Sequence, residues 1–355
     1  MTHRSAASDV RALGPSTPLR AGLTGTGLMG YWHAANIKAA GGRLVAVADP
    51  DTESARRLAG RYRNVAVFSD DQQMLVECDL DVLHVCTPLP SHREIAEHAI
   101  EAGVDLLIEK PLVPTAADTE QLLARAVKRN LLVCPVHQFA FQTGVRKARE
   151  QLARIGRIVQ IRGVFHSAGG AGSPVERLDS IVADILPHPL SIMQIFVTGG
   201  VPCEEWVTAR AAPGEFFAIC ETPGMTLSVL VSMSARPTEC SFRIVGTEGT
   251  IHLDLFHGFS FVVPGAVSKG RKIVHPFDLA GRRLSAAALN LARRTLRRET
   301  AYPGLRELIG LFYDAVRSRS DAPVSHEDTL CVARARDQLI RCAGLRANQQ
   351  EQLGS

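Results

Sequence analysis

The chain has 355 residues, which suggests two domains or one domain with a large appendage. Its composition, 46% hydrophobic and 21% charged, excludes an intrinsically disordered protein. Its formal net charge of +4 is spread along the sequence, so the charge indicates neither a nucleic-acid nor a membrane partner. The eight cysteines form no C-x-x-C pair, and several lie within apolar runs. We therefore expect free thiols in a reducing compartment, the cytoplasm.

The first residues of the chain differ in composition from the rest of the sequence. Residues 1–17 are rich in small, polar and basic side chains and lack the apolar core of a secretion signal, which predicts a disordered extension. No run of the sequence approaches the ~18 apolar residues of a membrane-spanning helix.

Apolar runs and helix-like segments alternate between residues 19 and 136. The predicted strands are Leu19–Thr24, Leu44–Ala48, Val65–Phe68, Asp81–Cys86, Val104–Ile108 and Leu131–Val136. The predicted helices are Leu28–Ala40, Thr52–Arg63, Ser91–Ala102 and Thr115–Arg129, with Ser91 and Thr115 as capping residues. Strands that are apolar throughout are buried on both faces, which predicts a parallel sheet covered by crossover helices.

The first predicted strand leads into a glycine-rich turn, Gly25-Thr26-Gly27-Leu28-Met29-Gly30, that opens a helix. This pattern is typical of a dinucleotide site. Gly25 permits the tight turn, Gly27 lets the backbone approach a pyrophosphate, and Gly30 allows close packing. Leu28 and Met29 place free amides at the helix N-terminus, where they can bind phosphate. The alternative is a strand-to-helix turn that binds no ligand.

Asp49 ends the second predicted strand, nineteen residues after Gly30. A carboxylate there can accept hydrogen bonds from the adenosine ribose hydroxyls and would repel a 2′-phosphate. The next two residues, Pro50 and Asp51, supply no arginine for such a phosphate. The sequence therefore favours NAD over NADP.

Three further motifs come after the turn in order: Cys86-Thr87-Pro88-Leu89-Pro90-Ser91-His92, then Ala99-Ile100-Glu101-Ala102-Gly103, then Glu109-Lys110-Pro111. Together they resemble the Gfo/Idh/MocA oxidoreductases, which include glucose–fructose oxidoreductase and inositol dehydrogenases. The resemblance implies an α/β chain with a Rossmann domain at residues 18–138 and a second, α+β domain at residues 139–355. That second domain carries an open, mainly antiparallel sheet whose exposed face mediates homodimer or homotetramer formation.

The second half of the sequence is compatible with such a domain. The predicted strands are Arg157–Phe165, Glu205–Ala211, Phe216–Glu221, Met225–Ser232, Ser241–Val245 and Gly249–Leu255. The predicted helices are Pro187–Val197, Gly304–Arg317 and Glu327–Leu345.

The resemblance also implies which residues of the Rossmann domain face the cofactor. Lys110 is expected beside the nicotinamide and the substrate hydroxyl, where a lysine can serve in proton transfer. A cis peptide is expected before Pro111. Thr87, Pro88, His92 and Glu109 are expected on the cofactor side, although His92 could equally be a structural residue at its helix start.

The family's second catalytic element is an aspartate followed four residues later by a histidine, and Asp184 and His188 keep that spacing. Leu186 and Ser191 stand where the family pattern has glycine and aspartate. His188 is the candidate general base and Asp184 the residue that orients the hydroxyl or tunes the base, both in contact with substrate. The alternative is that His188 binds backbone at a helix start and that Asp184 is an N-cap.

Three more polar residues are candidate substrate contacts. His137 and Gln138 come after the last predicted Rossmann strand, and Gln138 stands where many relatives have arginine. They could instead be ordinary polar residues where the domains join. His166 ends a predicted strand and is followed by the glycine-rich segment 168–172, which reads as a substrate loop or a surface connection.

Other classes of site find less support. No histidine, cysteine or carboxylate cluster has metal-ligand spacing, so no metal is predicted. A G-x-S-x-G elbow is absent, which removes the usual hydrolase interpretation. The basic segment 282–298 could meet a diphosphate, an anionic surface or a partner, or be a solvated helix face.

These observations predict an NAD-dependent oxidoreductase that interconverts a secondary alcohol and a ketone on a sugar, nucleotide sugar or cyclitol, with Lys110 and His188 handling the proton. One alternative is a cofactor-bound sugar sensor without turnover. Another is a reductase of a non-carbohydrate substrate on the same fold.

Overall fold

A computed structural model describes residues 17–170, 172–265, 270–297, 299 and 301–345. Apart from Thr17, the extension predicted for residues 1–17 lies outside the described residues. The described chain forms two compact units. The first comprises residues 17–136 and Arg306–Thr329, and the second comprises His137–Leu305 and residues 330–345.

The first unit contains a six-stranded parallel sheet with helices between the strands. Its strands are β1 Leu19–Thr24, β2 Gly42–Ala48, β3 Ala66–Phe68, β4 Val82–Val85, β5 Asp105–Ile108 and β6 Val133–Pro135. Its helices are α1 Leu28–Ile37, α2 Thr52–Ala59, α3 Asp71–Glu77, α4 His92–Ala102 and α5 Ala116–Lys128. Every residue of β4 and β5 is buried, which explains why these strands read as continuous apolar runs.

The strand order β3-β2-β1-β4-β5-β6 is that of a doubly wound dinucleotide-binding sheet. The chain reverses direction across the sheet between β1 and β4, which are hydrogen-bonded neighbours from Ala21 to Thr24. Ligands bind such sheets beyond the carboxyl ends of the strands, at this point of reversal. The turn after β1 and the segments after β4 and β5 all lie at that edge.

The second unit contains a seven-stranded sheet in the order β13-β12-β11-β7-β10-β9-β8. Its strands are β7 Ile158–His166, β8 Val207–Ala209, β9 Glu215–Thr222, β10 Met225–Ser232, β11 Glu239–Gly246, β12 Gly249–Asp254 and β13 Phe259–Pro264. The β7–β10 pair is parallel and the other pairs are antiparallel. The predicted fold class, a Rossmann domain followed by an α+β domain with an open, mainly antiparallel sheet, is confirmed.

The remaining helices are α6 Thr143–Glu150, α7 Val175–Ile185, α8 Pro187–Phe196, α9 Arg271–Arg297, α10 Leu305–Ser318 and α11 His326–Ala343. The sequence patterns did not predict α3, α6, α7 or β13. Helix α10 groups by its contacts with the first unit from Arg306 onward, although it comes after the second sheet in the chain. The limits 18–138 and 139–355 stay a prediction.

Hydropathy separates these helices from membrane spans. Within the described ranges, every helix is too short or too polar to cross a bilayer.

Candidate functional site

The glycine turn after β1 is shaped by close backbone contacts at two of its three glycines. Gly25 has a φ of 83°, and a Cβ on it would lie 2.6 Å from the carbonyl of Cys86. A Cβ on Gly30 would lie 2.0 Å from the Gly25 carbonyl oxygen. A larger residue at either position would displace the turn, so the glycines are required by the turn itself.

Gly27 behaves differently. It is exposed, and a Cβ built on it meets no atom within 4 Å. Packing therefore does not demand a glycine here, whereas the approach of a pyrophosphate to the backbone would. Leu28 comes next, with 66% of its surface exposed, and Met29 is half-buried. This open cradle at the N-terminus of α1 fits a dinucleotide phosphate.

Asp49 lies just after β2 and ties the glycine turn to the second strand. Its Oδ2 accepts hydrogen bonds from the Thr26 amide at 2.7 Å and the Thr26 hydroxyl at 2.8 Å. Its Oδ1 accepts from the Asp51 amide at 2.9 Å. A carboxylate has about four lone-pair positions, so acceptor capacity for a ribose hydroxyl remains. Asp49 thus has a structural role in addition to the predicted contact.

The segment after β4 is held by His92 and Ser91. His92 is 1% exposed, and its Nε2 lies 2.8 Å from the Thr87 carbonyl oxygen. Its Nδ1 lies 3.0 Å from the carbonyl oxygen of Pro111. His92 therefore links the segments after β4 and β5, which supports its structural role. Its cofactor contact, like those of Thr87 and Pro88, stays a prediction.

The prediction that Ser91 caps α4 is wrong. Its side chain accepts no cap hydrogen bond, and the hydroxyl instead lies 2.9 Å from the Thr87 hydroxyl oxygen. The matching prediction for Thr115 is confirmed, since its hydroxyl accepts from the Asp118 amide at 3.0 Å.

Glu109 and Lys110 come directly after β5. The Lys110–Pro111 peptide is cis, as the resemblance implied. Glu109 is 7% exposed, and its Oε2 accepts from the Lys110 amide at 3.2 Å. Burial, and then Glu109, hold the pKa of the Cys86 thiol well above its ordinary range, so Cys86 is an inert neighbour. Lys110 itself is half-buried.

Sequence reasoning missed three buried polar residues that connect to Glu109. His33 Nε2 lies 3.2 Å from Glu109 Oε1, and His33 Nδ1 lies 2.8 Å from His84 Nδ1. His84 Nε2 in turn lies 2.7 Å from the Tyr313 hydroxyl. The available signal was the position of His33, three residues after Gly30, and of His84, a lone polar residue in an otherwise apolar strand.

In the second unit, Asp184 and His188 lie on either side of a junction between two helices. Asp184 belongs to the last turn of α7, and His188 is the second residue of α8. Leu186 between them keeps helical angles, so the pair is held near one face although two helices are involved. Asp184 is not the N-cap of α8; Leu186 is, without a side-chain bond.

Each member of this pair has a defined neighbour. The ring centroids of His188 and Phe139 lie 4.5 Å apart. The backbone carbonyl of His188 accepts a hydrogen bond from the Ser191 hydroxyl at 2.9 Å. Burial lowers the pKa of Arg336, and Asp184 and Asp337 act against that shift. The negative charge of Asp184 thus favours the charged form of Arg336, an effect that the sequence did not predict.

His137 and Gln138 are both 4% exposed and precede Phe139. Within the described residues, the Gln138 Oε1 atom is buried without a hydrogen-bond partner. Because an unsatisfied buried oxygen is costly, this atom fits contact with a ligand hydroxyl. The substrate contacts of His137 and Gln138 stay predictions.

His166 ends β7 and lies 3.9 Å from the Glu239 carboxylate, so it has a protein partner rather than open surroundings. In the loop after β7, Gly170 lies against Leu178 and Met233. Ala171 is outside the described residues. The substrate role of His166 stays a prediction.

The basic segment 282–298 lies in helix α9, apart from Arg298, which is outside the described residues. Helix α9 exposes large apolar side chains as well as basic ones: Ile273, Phe277, Leu284, Leu291 and Leu296. The interpretation of segment 282–298 as a solvated basic helix face does not account for these exposed apolar side chains. Among described residues, no group of three or more histidines, cysteines and carboxylates is arranged to hold a metal ion.

Comparison with known proteins assigns the family. A model described as "Oxidoreductase family, NAD-binding Rossmann fold" matches residues 19–137, and a model of the GFO/IDH/MocA C-terminal domain matches residues 145–252. The chain therefore belongs to the Gfo/Idh/MocA family, and residues 19–137 match its NAD-binding Rossmann fold. The resemblance inferred from the sequence motifs is confirmed.

Individual relatives agree with this assignment. Inositol 2-dehydrogenase 4 of Saccharopolyspora erythraea is 38% identical over 111 residues, which are 31% of this chain and 33% of that protein. The matches to the first curated relatives span about a third of their length.

Two solved structures share the fold over nearly the whole chain. Levoglucosan dehydrogenase in complex with NADH and levoglucosan has a TM-score of 0.74 at 21% identity, covering 92% of this chain and 97% of that one. UDP-N-acetylglucosamine 3-dehydrogenase from Acidithiobacillus ferrooxidans has a TM-score of 0.71 at 21% identity, with the same coverage.

Proposed function

We propose that the chain is an NAD-dependent oxidoreductase that interconverts a secondary alcohol and a ketone on a sugar, nucleotide sugar or cyclitol. The observation that carries this proposal is the open cradle at Gly27, at the same sheet edge as Glu109 and Lys110. Packing leaves Gly27 unexplained, and dinucleotide binding explains it. The family assignment supports the same conclusion.

Within this proposal the residues of the first unit bind and orient. Gly27, Leu28, Met29 and Gly30 present backbone to the pyrophosphate, and Asp49 accepts from the ribose. NAD supplies the hydride acceptor when bound. Lys110 hydrogen-bonds the reacting oxygen and moves a proton at its Nζ atom.

The residues proposed from the second unit act on the substrate. His188 accepts the hydroxyl proton at a ring nitrogen, and Asp184 orients the hydroxyl or tunes that base. His137, Gln138 and His166 contact other polar groups of the substrate. Support for a carbohydrate comes from the names of the relatives, an inositol, a levoglucosan and a nucleotide-sugar dehydrogenase.

Two further statements belong to the proposal. The chain forms a homodimer or homotetramer, supported by Phe217 and Leu230, which lie opposite each other on neighbouring strands and are 38% and 37% exposed. It acts in the cytoplasm, supported by its eight free cysteines.

The test is a turnover assay with purified protein. Nicotinamide reduction is followed with NAD or NADP against free sugars, cyclitols and nucleotide sugars, for the wild type and His188→Ala. Turnover with NAD that His188→Ala reduces at least about hundredfold supports the proposal. Tight dinucleotide binding without turnover across the panel would instead favour a sensor.

A further inference from the structure

A hydrogen-bonded chain of buried side chains runs through the first unit and ends at Glu109. Its three links measure 2.7 Å from Tyr313 to His84, 2.8 Å from His84 to His33, and 3.2 Å from His33 to Glu109. The other oxygen of Glu109 accepts from the Lys110 amide at 3.2 Å. None of the proposed catalytic steps uses Tyr313, His84 or His33.

Three of the four side chains come from three different elements, and the fourth comes from the segment after β5. Tyr313 belongs to α10, His84 to β4 and His33 to α1, and Glu109 comes directly after β5. Tyr313, His84 and His33 are fully buried. A buried polar group destabilises the fold unless it has a hydrogen-bond partner. The three hydrogen bonds between these side chains therefore stabilise the fold only when all of them are formed.

The protonation states of the first two groups set the direction of the chain. Burial raises the pKa of Tyr313 far above its ordinary range, so the phenol keeps its proton. Burial, and then His33, hold the pKa of His84 well below 6.5, so its ring carries one proton. Among described residues, His84 Nε2 is the one hydrogen-bond partner of the phenol oxygen. If the phenol accepted from this nitrogen, its own buried hydrogen would lack an acceptor, which is costly, so the phenol donates to His84 Nε2.

The direction of the Tyr313–His84 hydrogen bond fixes the directions of the other two. Because His84 Nε2 accepts from Tyr313, the His84 proton is on Nδ1 and is donated to His33 Nδ1. His33 must therefore carry its own proton on Nε2, from which it donates to the Glu109 carboxylate. Every hydrogen along the chain points towards Glu109.

We propose that Tyr313 and His84 are positioning residues that act through His33 to fix the Glu109 carboxylate and, with it, the backbone of Lys110. The residues hold Glu109 in the one orientation in which it accepts from His33 with Oε1 and from the Lys110 amide with Oε2. The effect on catalysis rests on the proposed function of Lys110, whereas the order of protons does not.

The order of protons can be read from the wild-type protein by nitrogen NMR. In protein labelled with ¹⁵N-histidine, long-range proton–nitrogen spectra distinguish the two neutral tautomers, and His84→Gln and His33→Gln assign the signals. The expected result is His84 as the Nδ1–H tautomer, the less populated form in water, and His33 as the Nε2–H tautomer. His84 as the Nε2–H tautomer or as an imidazolium at neutral pH would overturn the proposal.

Tyr313→Phe tests the positioning role. The substitution removes only the hydroxyl and leaves His84 Nε2 without its donor. We expect the His84 nitrogen signals to shift, kcat to fall about two- to tenfold, the change expected for one lost hydrogen bond, and the NAD Kd to stay unchanged. Tyr62→Phe, a half-buried tyrosine of the same unit outside the chain, is the matched control and should leave all three unchanged.

The outcomes separate this proposal from the proposed function. The predicted tautomers with an unchanged kcat in Tyr313→Phe would contradict the positioning role alone. A protein that shows the predicted tautomers and binds NAD but turns over no carbohydrate would contradict the proposed function and leave the proton order standing.

Discussion

Asp49 shows how one side chain can serve both the fold and the proposed chemistry. It accepts from the Thr26 amide and hydroxyl through one oxygen and from the Asp51 amide through the other. These bonds fix the carboxylate at the end of β2, where a negative charge would repel a 2′-phosphate. The proposed cofactor preference and the observed turn geometry therefore depend on the same group.

Asp49→Asn should change the cofactor preference. The amide keeps one oxygen acceptor for the turn but removes the charge, so binding of NADP should improve relative to NAD by at least about tenfold. The measurement is the ratio of Kd values from dinucleotide titration. Asp70→Asn, at the exposed N-cap of α3, is the control and should keep the wild-type ratio. An unchanged ratio in Asp49→Asn would contradict the assignment.

His84 should make the stability of the protein depend on pH. Burial, and then His33, hold its pKa well below the ordinary 6.5. Tyr313 contacts the other nitrogen of His84, and Glu109 contacts the far nitrogen of His33. The unfolded state therefore binds a proton below pH 6.5 that the folded state does not. The free energy of unfolding is fully retained above that pH and should fall by about 1.4 kcal/mol per unit as pH decreases below it.

Urea unfolding at several pH values measures this slope. In His84→Gln the free energy of unfolding should decrease less steeply below pH 6.5 than in the wild type. This difference in slope is expected whatever the stability of the variant at neutral pH. His275→Gln on α9 is the control and should keep the wild-type slope. If the wild-type slope persists in His84→Gln, the buried neutral imidazole is not its source.

At the scale of elements, the alternation of strands and helices in the first unit was predictable because its strands are buried on both faces. The helix α3 was not predictable in this way, since its seven residues carry little periodicity. Helix α7 was missed because its sequence comes after a glycine-rich segment that reads as a loop. The alternative interpretation of Asp184 as an N-cap therefore stays open in the sequence, whereas the structure has Asp184 in the last turn of α7.

The glycine turn gives a prediction at this scale. Gly27→Ala adds a methyl group that meets no atom within 4 Å, so folding should be unaffected and NAD binding should weaken at least about tenfold. Gly281→Ala on α9 is the matched control, because its methyl group also meets no atom within 4 Å. It should bind NAD as the wild type does.

Gly30→Ala should behave differently from Gly27→Ala. Its Cβ would lie 2.0 Å from the Gly25 carbonyl oxygen, so the turn itself must move and thermal stability should fall. Unimpaired NAD binding by Gly27→Ala would show that the exposed glycine does not meet the pyrophosphate.

At the scale of the whole molecule, contacts between residues far apart in sequence were not predictable. Arg319 pairs with the buried Asp105 at 2.9 Å across 214 residues, and Tyr313 reaches His84 across 229. These contacts bring α10 and the residues after it to the first unit. The sequence around Arg319 or Tyr313 does not indicate its partner, because only the folded chain brings the two members of each pair together.

The oligomeric state is a prediction for the whole molecule. Sedimentation should give the mass of a dimer or tetramer. The double substitution Phe217→Ser and Leu230→Ser, on the exposed face of the second sheet, should lower that mass if this face forms the interface. Val76→Ser, an 86% exposed apolar residue on α3, is the control. A wild-type chain that sediments as a monomer would contradict the prediction.

Deuterium transfer from substrate to cofactor distinguishes an oxidoreductase from a sensor. Carbohydrates labelled with deuterium at the carbinol carbons are incubated with NAD and the wild type, Lys110→Ala or the exposed Lys128→Ala, and the dinucleotide is analysed by mass spectrometry. We expect deuterated NADH with the wild type and Lys128→Ala, and a rate at least about hundredfold lower with Lys110→Ala. Bound dinucleotide that never acquires deuterium, or equal transfer by Lys110→Ala, would contradict the proposed dehydrogenase chemistry.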